Sequence, residues 1–196
     1  MTTPQLRELR RRTGAGMLHC KSVLEKTRGN VDQAVERLRL EGITNDETRV
    51  ARQTTEGRMA SYVHHNGRLG AIVELNCETD FVARTDDFAI LATHLAEHVA
   101  AAAPIAVSRE GIDPDVIAEK RHAFENDVRT AGKPESLVAK IVEGKLDAYF
   151  ELVVLLEQRW VREPKITIGV LINELGSKTG ENIQVRRFSR FHMGTA

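Results

Sequence analysis

The sequence has little of what most small-protein chemistries depend on. It carries two cysteines, Cys20 and Cys77, in 196 residues. Both sit in apolar patterns, and two thiols supply neither a disulfide framework nor a four-ligand metal site. Charge of one sign is not in excess, since 28 Lys and Arg face 28 Asp and Glu. General binding to nucleic acid or to an anionic membrane relies on surplus cations, so neutrality argues against both. No apolar run reaches membrane-spanning length, and the first residues lack the charged-then-apolar order of a secretory signal, so the cytoplasm is the expected compartment. Phosphate-loop chemistry is missing as well. Gly14-Ala15-Gly16-Met17 follows no strand and is not followed by Lys-Ser or Lys-Thr. No nucleophile–base pair, hydrolase elbow, kinase motif or redox motif stands out, so neither an enzyme nor a cofactor is expected.

What is present is a globular pattern, with 41% apolar and 29% charged residues. A chain of this length holds one or two domains and buries about 70% of its unfolded surface. Residues 1–42 read as three short helices. Thr3 caps the first, with Pro4 at its first helical position, Leu6 and Leu9 on its inner face, and Gly14-Ala15-Gly16 ending it. Met17, Cys20, Val23, Leu24 and Thr27 share a stripe on the second. Arg28-Gly29-Asn30 makes a turn. Asn30 with Gln33 gives a capping-box pattern, and Val31, Ala34, Val35 and Leu38 form the stripe of the third helix, which Gly42 ends. Residues 43–57 hold only Ile43, Val50 and Ala51 as apolar side chains, which suggests a linker with some helical content.

Residues 58–196 read as a mixed core. Met59 to His65 and Leu69 to Cys77 flank Asn66-Gly67, a dipeptide that favours a type I′ hairpin turn. Val73, Leu75 and Cys77 alternate with Glu74, Asn76 and Glu78, so one face of that strand is buried. Phe88, Leu91, Ala92, Leu95, Val99 and Ala102 mark a long helix from Asp86, stopped by Pro104. Further helices are expected over Pro114–Thr130, over Glu135–Leu156 with a break near Gly144, and over 166–176. Asn182–Phe191 alternates as a strand. The order places the chain in the α+β class, with a small helical N-terminal domain.

Several clusters invite a functional reading. His94 and His98 have zinc-binding spacing, but the Leu-Ala-Glu between them is not a metalloprotease motif, His94 lies toward solvent, His98 lies at the edge of the stripe, and no third ligand is obvious. His64 and His65, as strand neighbours, point to opposite faces and cannot chelate together. The tail Arg186-Arg187-Phe188-Ser189-Arg190-Phe191 mixes cations with aromatics as single-strand binders do; on a neutral chain, an amphipathic strand with arginines in water or paired to acids is favoured. Thr79-Asp80-Phe81-Val82 leaves a buried strand and precedes the cap of a long helix. Its Phe81 either inserts into a partner from a loop or folds back beneath the Phe88 helix. Leu18 lies opposite the stripe of its helix. It is either a lone exposed leucine or, with Met17, part of a small apolar contact patch.

Three segments in order resemble the bacterial elongation factor Ts family: Leu9 to Leu18, Asn76-Cys77-Glu78-Thr79-Asp80-Phe81-Val82-Ala83-Arg84, and Gly180-Glu181-Asn182-Ile183 with Val185-Arg186-Arg187-Phe188. The resemblance covers nearly the whole chain. It implies a ubiquitin-associated-like three-helix domain (1–42), a linker (43–57) and an α+β core for dimerisation and partner binding (58–196). It also implies guanine nucleotide exchange on elongation factor Tu, with Thr79, Asp80, Phe81 and Val82 reaching the magnesium and phosphate site of the partner's G domain, and with Arg12, Met17 and Leu18 contacting the same domain. The chain is similar to compact members with a single core, rather than longer ones with a duplicated core and a projecting coiled coil, and a homodimer is implied. Some compact members carry a cysteine where this chain has Ser189, so a covalent dimer through that position is not expected. Gln158-Arg159-Trp160 departs from a family Gln-Pro-Phe and leaves the local chain direction open. A non-catalytic adaptor and a single-stranded RNA binder are the competing readings.

Overall fold

A computed structural model describes residues 3–13, 15, 17–40 and 47–194. The expected stops at Gly14, Gly16 and Gly42, the Thr3 side-chain cap, Ile43 and the Leu18 side chain lie outside what is described. The chain divides into two compact units, Met1–Ala100 with Gly169–Ala196, and Ala101–Ile168. The class is α+β, as expected.

In the first unit, α1 (Thr3–Thr13), α2 (Met17–Lys26) and α3 (Val31–Leu40) close on a core of Leu9, Ala15, Cys20, Val23, Leu24, Ala34 and Leu38. The α1 end is set by Thr13. Its buried hydroxyl donates to Leu9 O at 2.7 Å and accepts from Ala15 N at 3.3 Å, so side-chain bonds replace the next helical turn. Asn30 Oδ1 accepts from Gln33 N at 3.0 Å, which caps α3 as its sequence suggested.

The short α4 (Glu47–Val50) follows. Strands β1 (Glu56–Val63), β2 (Leu69–Cys77) and β5 (Gln184–His192) form an antiparallel sheet in the order β1-β2-β5. The first strand starts three residues earlier than the apolar pattern indicated, because Glu56 pairs with Cys77 and Gly57 with Asn76. Only glycine fits at 57, where the φ is positive and a Cβ would overlap Leu75 O. The hairpin turn is not type I′. Gly67 N donates to His64 O and only Gly67, not Asn66, takes a positive φ, so the loop is longer than two residues. Between β2 and β5 lie α5 (Asp80–Ala83), α6 (Asp86–Ala102) and, after the second unit, α9 (Ile168–Thr179). The expected α6 stripe is buried at Phe88, Leu91, Ala92, Leu95 and Val99, as are Ala71, Val73, Leu75 and Cys77 of β2.

In the second unit, α7 (Pro114–Thr130) and α8 (Glu135–Val153) pair as a helical hairpin around Val128, Val138, Val142, Leu146 and Phe150. One expectation is corrected here. The α8 helix runs unbroken through Gly144, because the buried stripe continues on both sides and outweighs the roughly 1 kcal/mol that a helical glycine costs. Strands β3 (Arg159–Trp160) and β4 (Glu163–Thr167) form a hairpin that the sequence did not suggest, being too short for a periodic signal. The open question at Gln158 resolves through its buried amide, which donates to Leu152 O at 2.6 Å and Ala102 O at 3.3 Å.

Candidate functional site

Where β2 ends, the chain turns at Glu78 and Thr79 and enters α5. This corrects the expectation that Phe81 is carried by a loop. Thr79 is extended, and its hydroxyl accepts from Val82 N at 3.4 Å, an N-cap. Ala83 N and Arg84 N then donate to Thr79 O and Asp80 O. Ala83 is the buried anchor of the turn. Phe81 is 81% exposed, so it does not fold back beneath α6. It is the most exposed large apolar side chain among the described residues, and an aromatic left in water forgoes about 2–3 kcal/mol that burial against a partner would recover. Asp80 pairs with Arg84 at 2.8 Å, one turn on, and Val82 is half-buried.

A four-residue helix cannot sustain itself on its own hydrogen bonds. The support comes from the segment after α9. Glu181 Oε2 accepts from Glu78 N and Thr79 N, each at 3.1 Å, and its Oε1 accepts from the Thr79 hydroxyl at 2.5 Å. In return Glu78 Oε1 accepts from Asn182 N at 2.5 Å, and its carboxylate pairs with Arg52 at 3.1 Å. The buried Asn182 amide donates to Val50 O at 3.0 Å and Arg52 O at 2.9 Å. Three chain segments, 50–52, 76–79 and 180–182, are thus tied by charged and amide side chains below the tip. Burial, followed by the nearby Glu181 charge, pushes the Cys77 thiol up to about 11, and its Sγ donates to Thr79 O at 3.2 Å. Sequence reasoning singled out Gly180-Glu181-Asn182 only by resemblance. The physical signal was a carboxylate and an amide at a strand entry, where polar side chains serve the backbone.

The other site residues stand on different elements. Arg12, on α1, is ion-paired to Asp32 of α3 at 2.7 Å. Met17, expected on the inner stripe, is 55% exposed at the start of α2. Leu18 follows it in α2, its side chain outside the described set. His98 is fully buried rather than at the stripe edge, and His94 is half-buried. Among the described residues no group of three His, Cys, Asp or Glu is placed to hold a metal ion. His64 and His65 do come together, with ring centroids 4.1 Å apart, because β1 has ended before them. In the tail, Arg187 binds Glu74 at 2.6 Å, Arg186 lies 3.6 Å from the same carboxylate, and Arg190 donates to Ala100 O. Arg186 and Arg187 thus serve the sheet, and Arg190 ties it to α6. The Arg187 hydrogen bond holds Glu74 below the usual carboxylate range. Among the described residues no helix is long and apolar enough to cross a membrane.

The family profile described as Elongation factor TS matches residues 19–195. Elongation factor Ts of Thermotoga petrophila is 48% identical over 189 residues, covering 96% of this chain and 94% of the relative. That of Fervidobacterium nodosum is 43% identical over 194 residues, covering 99% and 98%. That of Carboxydothermus hydrogenoformans is 44% identical over 194 residues, covering 99% and 89%. With matches of this length and identity, the chain belongs to the elongation factor Ts family.

Proposed function

We propose that this chain is the guanine nucleotide exchange factor for elongation factor Tu, acting by binding and without covalent chemistry. The observation that carries the reading is Phe81, 81% exposed beside Asp80 on a tip tied down by three hydrogen bonds to one carboxylate. An exposed aromatic on a fixed support is an anchor waiting for a pocket. GTPases hold their nucleotide through a phosphate loop and a magnesium ion bridging protein and phosphate. Phe81 inserts beside that site and Asp80 adds negative charge there, with Thr79 and Val82 setting the turn. Asp80 is not free to do so unaided, since Arg84 holds it in the unbound chain; the partner competes for that pair. Binding that favours the nucleotide-free partner weakens GDP by the same factor that GDP weakens binding. A coupling of about 5 kcal/mol corresponds to several thousandfold.

The same reading gives Arg12, Met17 and Leu18 a contact with the same G domain, and divides the chain into a helical domain (1–42), a linker (43–57) and a core (58–196). In that role the chain works in the cytoplasm and needs no cofactor and no direct nucleic-acid contact. A homodimer is supported by the open face of the sheet, where Met59, Val63, Ile72 and Phe191 leave apolar surface exposed.

The test is release of fluorescent GDP from elongation factor Tu with increasing amounts of this chain. Release accelerates with concentration to a plateau. A rate independent of the chain rejects exchange in favour of a plain adaptor.

A further inference from the structure

Phe81 can act as a wedge only if the backbone beneath it keeps one direction, and α5 is too short to guarantee that alone. The geometry concentrates the support in a single side chain. Both oxygens of Glu181 are engaged, one by two backbone N–H groups that precede α5 and the other by the Thr79 hydroxyl. Because that hydroxyl donates to Glu181, its lone pair remains for Val82 N, and this is the bond that starts the helix. Glu181 is itself fixed. Its N–H donates to Thr179 Oγ1 at 3.4 Å, and Asn182 beside it is tied to Glu78 and to the 50–52 segment. Close approach is possible because position 176 is glycine, where a Cβ would stand 3.0 Å from Glu181 O.

We propose that Glu181 is the positioning residue of the Phe81 tip, and that it acts on nucleotide exchange only through the direction in which α5 presents Phe81. The proposal rests on the exchange reading above. Glu181→Gln keeps the size of the side chain but turns one oxygen into a donor-only amide nitrogen. With its oxygen toward the two N–H groups, the amide offers them a neutral acceptor in place of a carboxylate, and its nitrogen turns the Thr79 hydroxyl from donor to acceptor. Thr79→Ser keeps the hydroxyl, and Thr79→Val keeps only the shape.

Two measurements on the full chain decide it. In the free protein, NMR hydrogen exchange at the Thr79 and Ala83 amides speeds up about tenfold or more in Glu181→Gln, the loss of charge from the acceptor of two backbone hydrogen bonds, while Val73 and Leu75 in β2 are unchanged. In GDP release from elongation factor Tu, Glu181→Gln lowers the plateau rate by a similar factor with little change in the half-saturating concentration. In a Phe81→Ala background it lowers the rate no further. Thr79→Ser keeps the amide exchange of wild type at Ala83 and Thr79→Val speeds it as Glu181→Gln does; if Glu181→Gln does not fold, the two Thr79 variants carry the test. Unchanged amide exchange overturns the clamp. A further loss on top of Phe81→Ala overturns action through Phe81. A wild-type rate in Phe81→Ala alone overturns the wedge reading itself, and the proposal with it.

Discussion

Two four-residue helices, α4 and α5, invert the usual rule for what goes inside. In α4 the arginine is buried: Arg49 is 5% exposed, its guanidinium bonded to Asn173 and to Ser177 Oγ of α9. In α5 the phenylalanine is outside. Neither helix is long enough to form by propensity, so each is placed by polar side chains from elsewhere in the chain. The difference lies in which way the side chain is directed. The α4 charge faces inward and joins distant segments, as a structural group does. The α5 aromatic faces outward, toward solvent. Burying a charge and exposing an aromatic both cost free energy, and the second cost is recovered only against a partner.

Changing either helix separates the two roles. The largest stability effect is expected from Arg49→Ala, which leaves Asn173 and Ser177 without their donor and costs about 2–3 kcal/mol, a fall in melting temperature of roughly 5–10 °C by calorimetry. GDP release per folded molecule stays near wild type. A loss of exchange without a loss of stability would erase the contrast between the helices. A smaller effect, about 1–2 kcal/mol, is expected from Leu18→Asp on the complex with elongation factor Tu, read as a weaker dissociation constant by titration calorimetry with an unchanged melting temperature. An unaltered constant leaves α5 as the sole anchor of the pair of contacts. The smallest effect is electrostatic and lies on the sheet. Glu74 titrates lower in the folded chain than in the unfolded one, because Arg187 holds its charged form. Its contribution is therefore complete above its unfolded value and disappears as pH falls through the folded one. Melting curves of Glu74→Gln and wild type differ at neutral pH and converge in acid.

The contrast also explains what is legible in the sequence. The three N-terminal helices, α6 and β2 carry long periodic stripes, and Val31-Ala34-Val35-Leu38 or Phe88-Leu91-Ala92-Leu95 place themselves. Neither α4 nor α5 has room for a period. Asp80 and Phe81 stand out because an aromatic past the end of an alternating strand has no assigned side, yet that leaves two directions open. The choice is made by Glu181, about a hundred residues further along the chain, and long-range polar ties of this kind leave no periodic trace. The same blindness hides β3 and β4 and suggests a break at Gly144, where the local signal omits the packing around it.

The central claim is that the exposed aromatic, and not merely the presence of the chain, loosens the partner's nucleotide. Stopped-flow release of labelled GDP from elongation factor Tu measures it directly, comparing wild type with Phe81→Ala at saturating concentration. The account predicts a plateau rate lower by roughly thirty- to hundredfold, matching about 2–3 kcal/mol of lost aromatic burial, in a protein that melts no lower than wild type. Equal plateau rates for the two proteins contradict it.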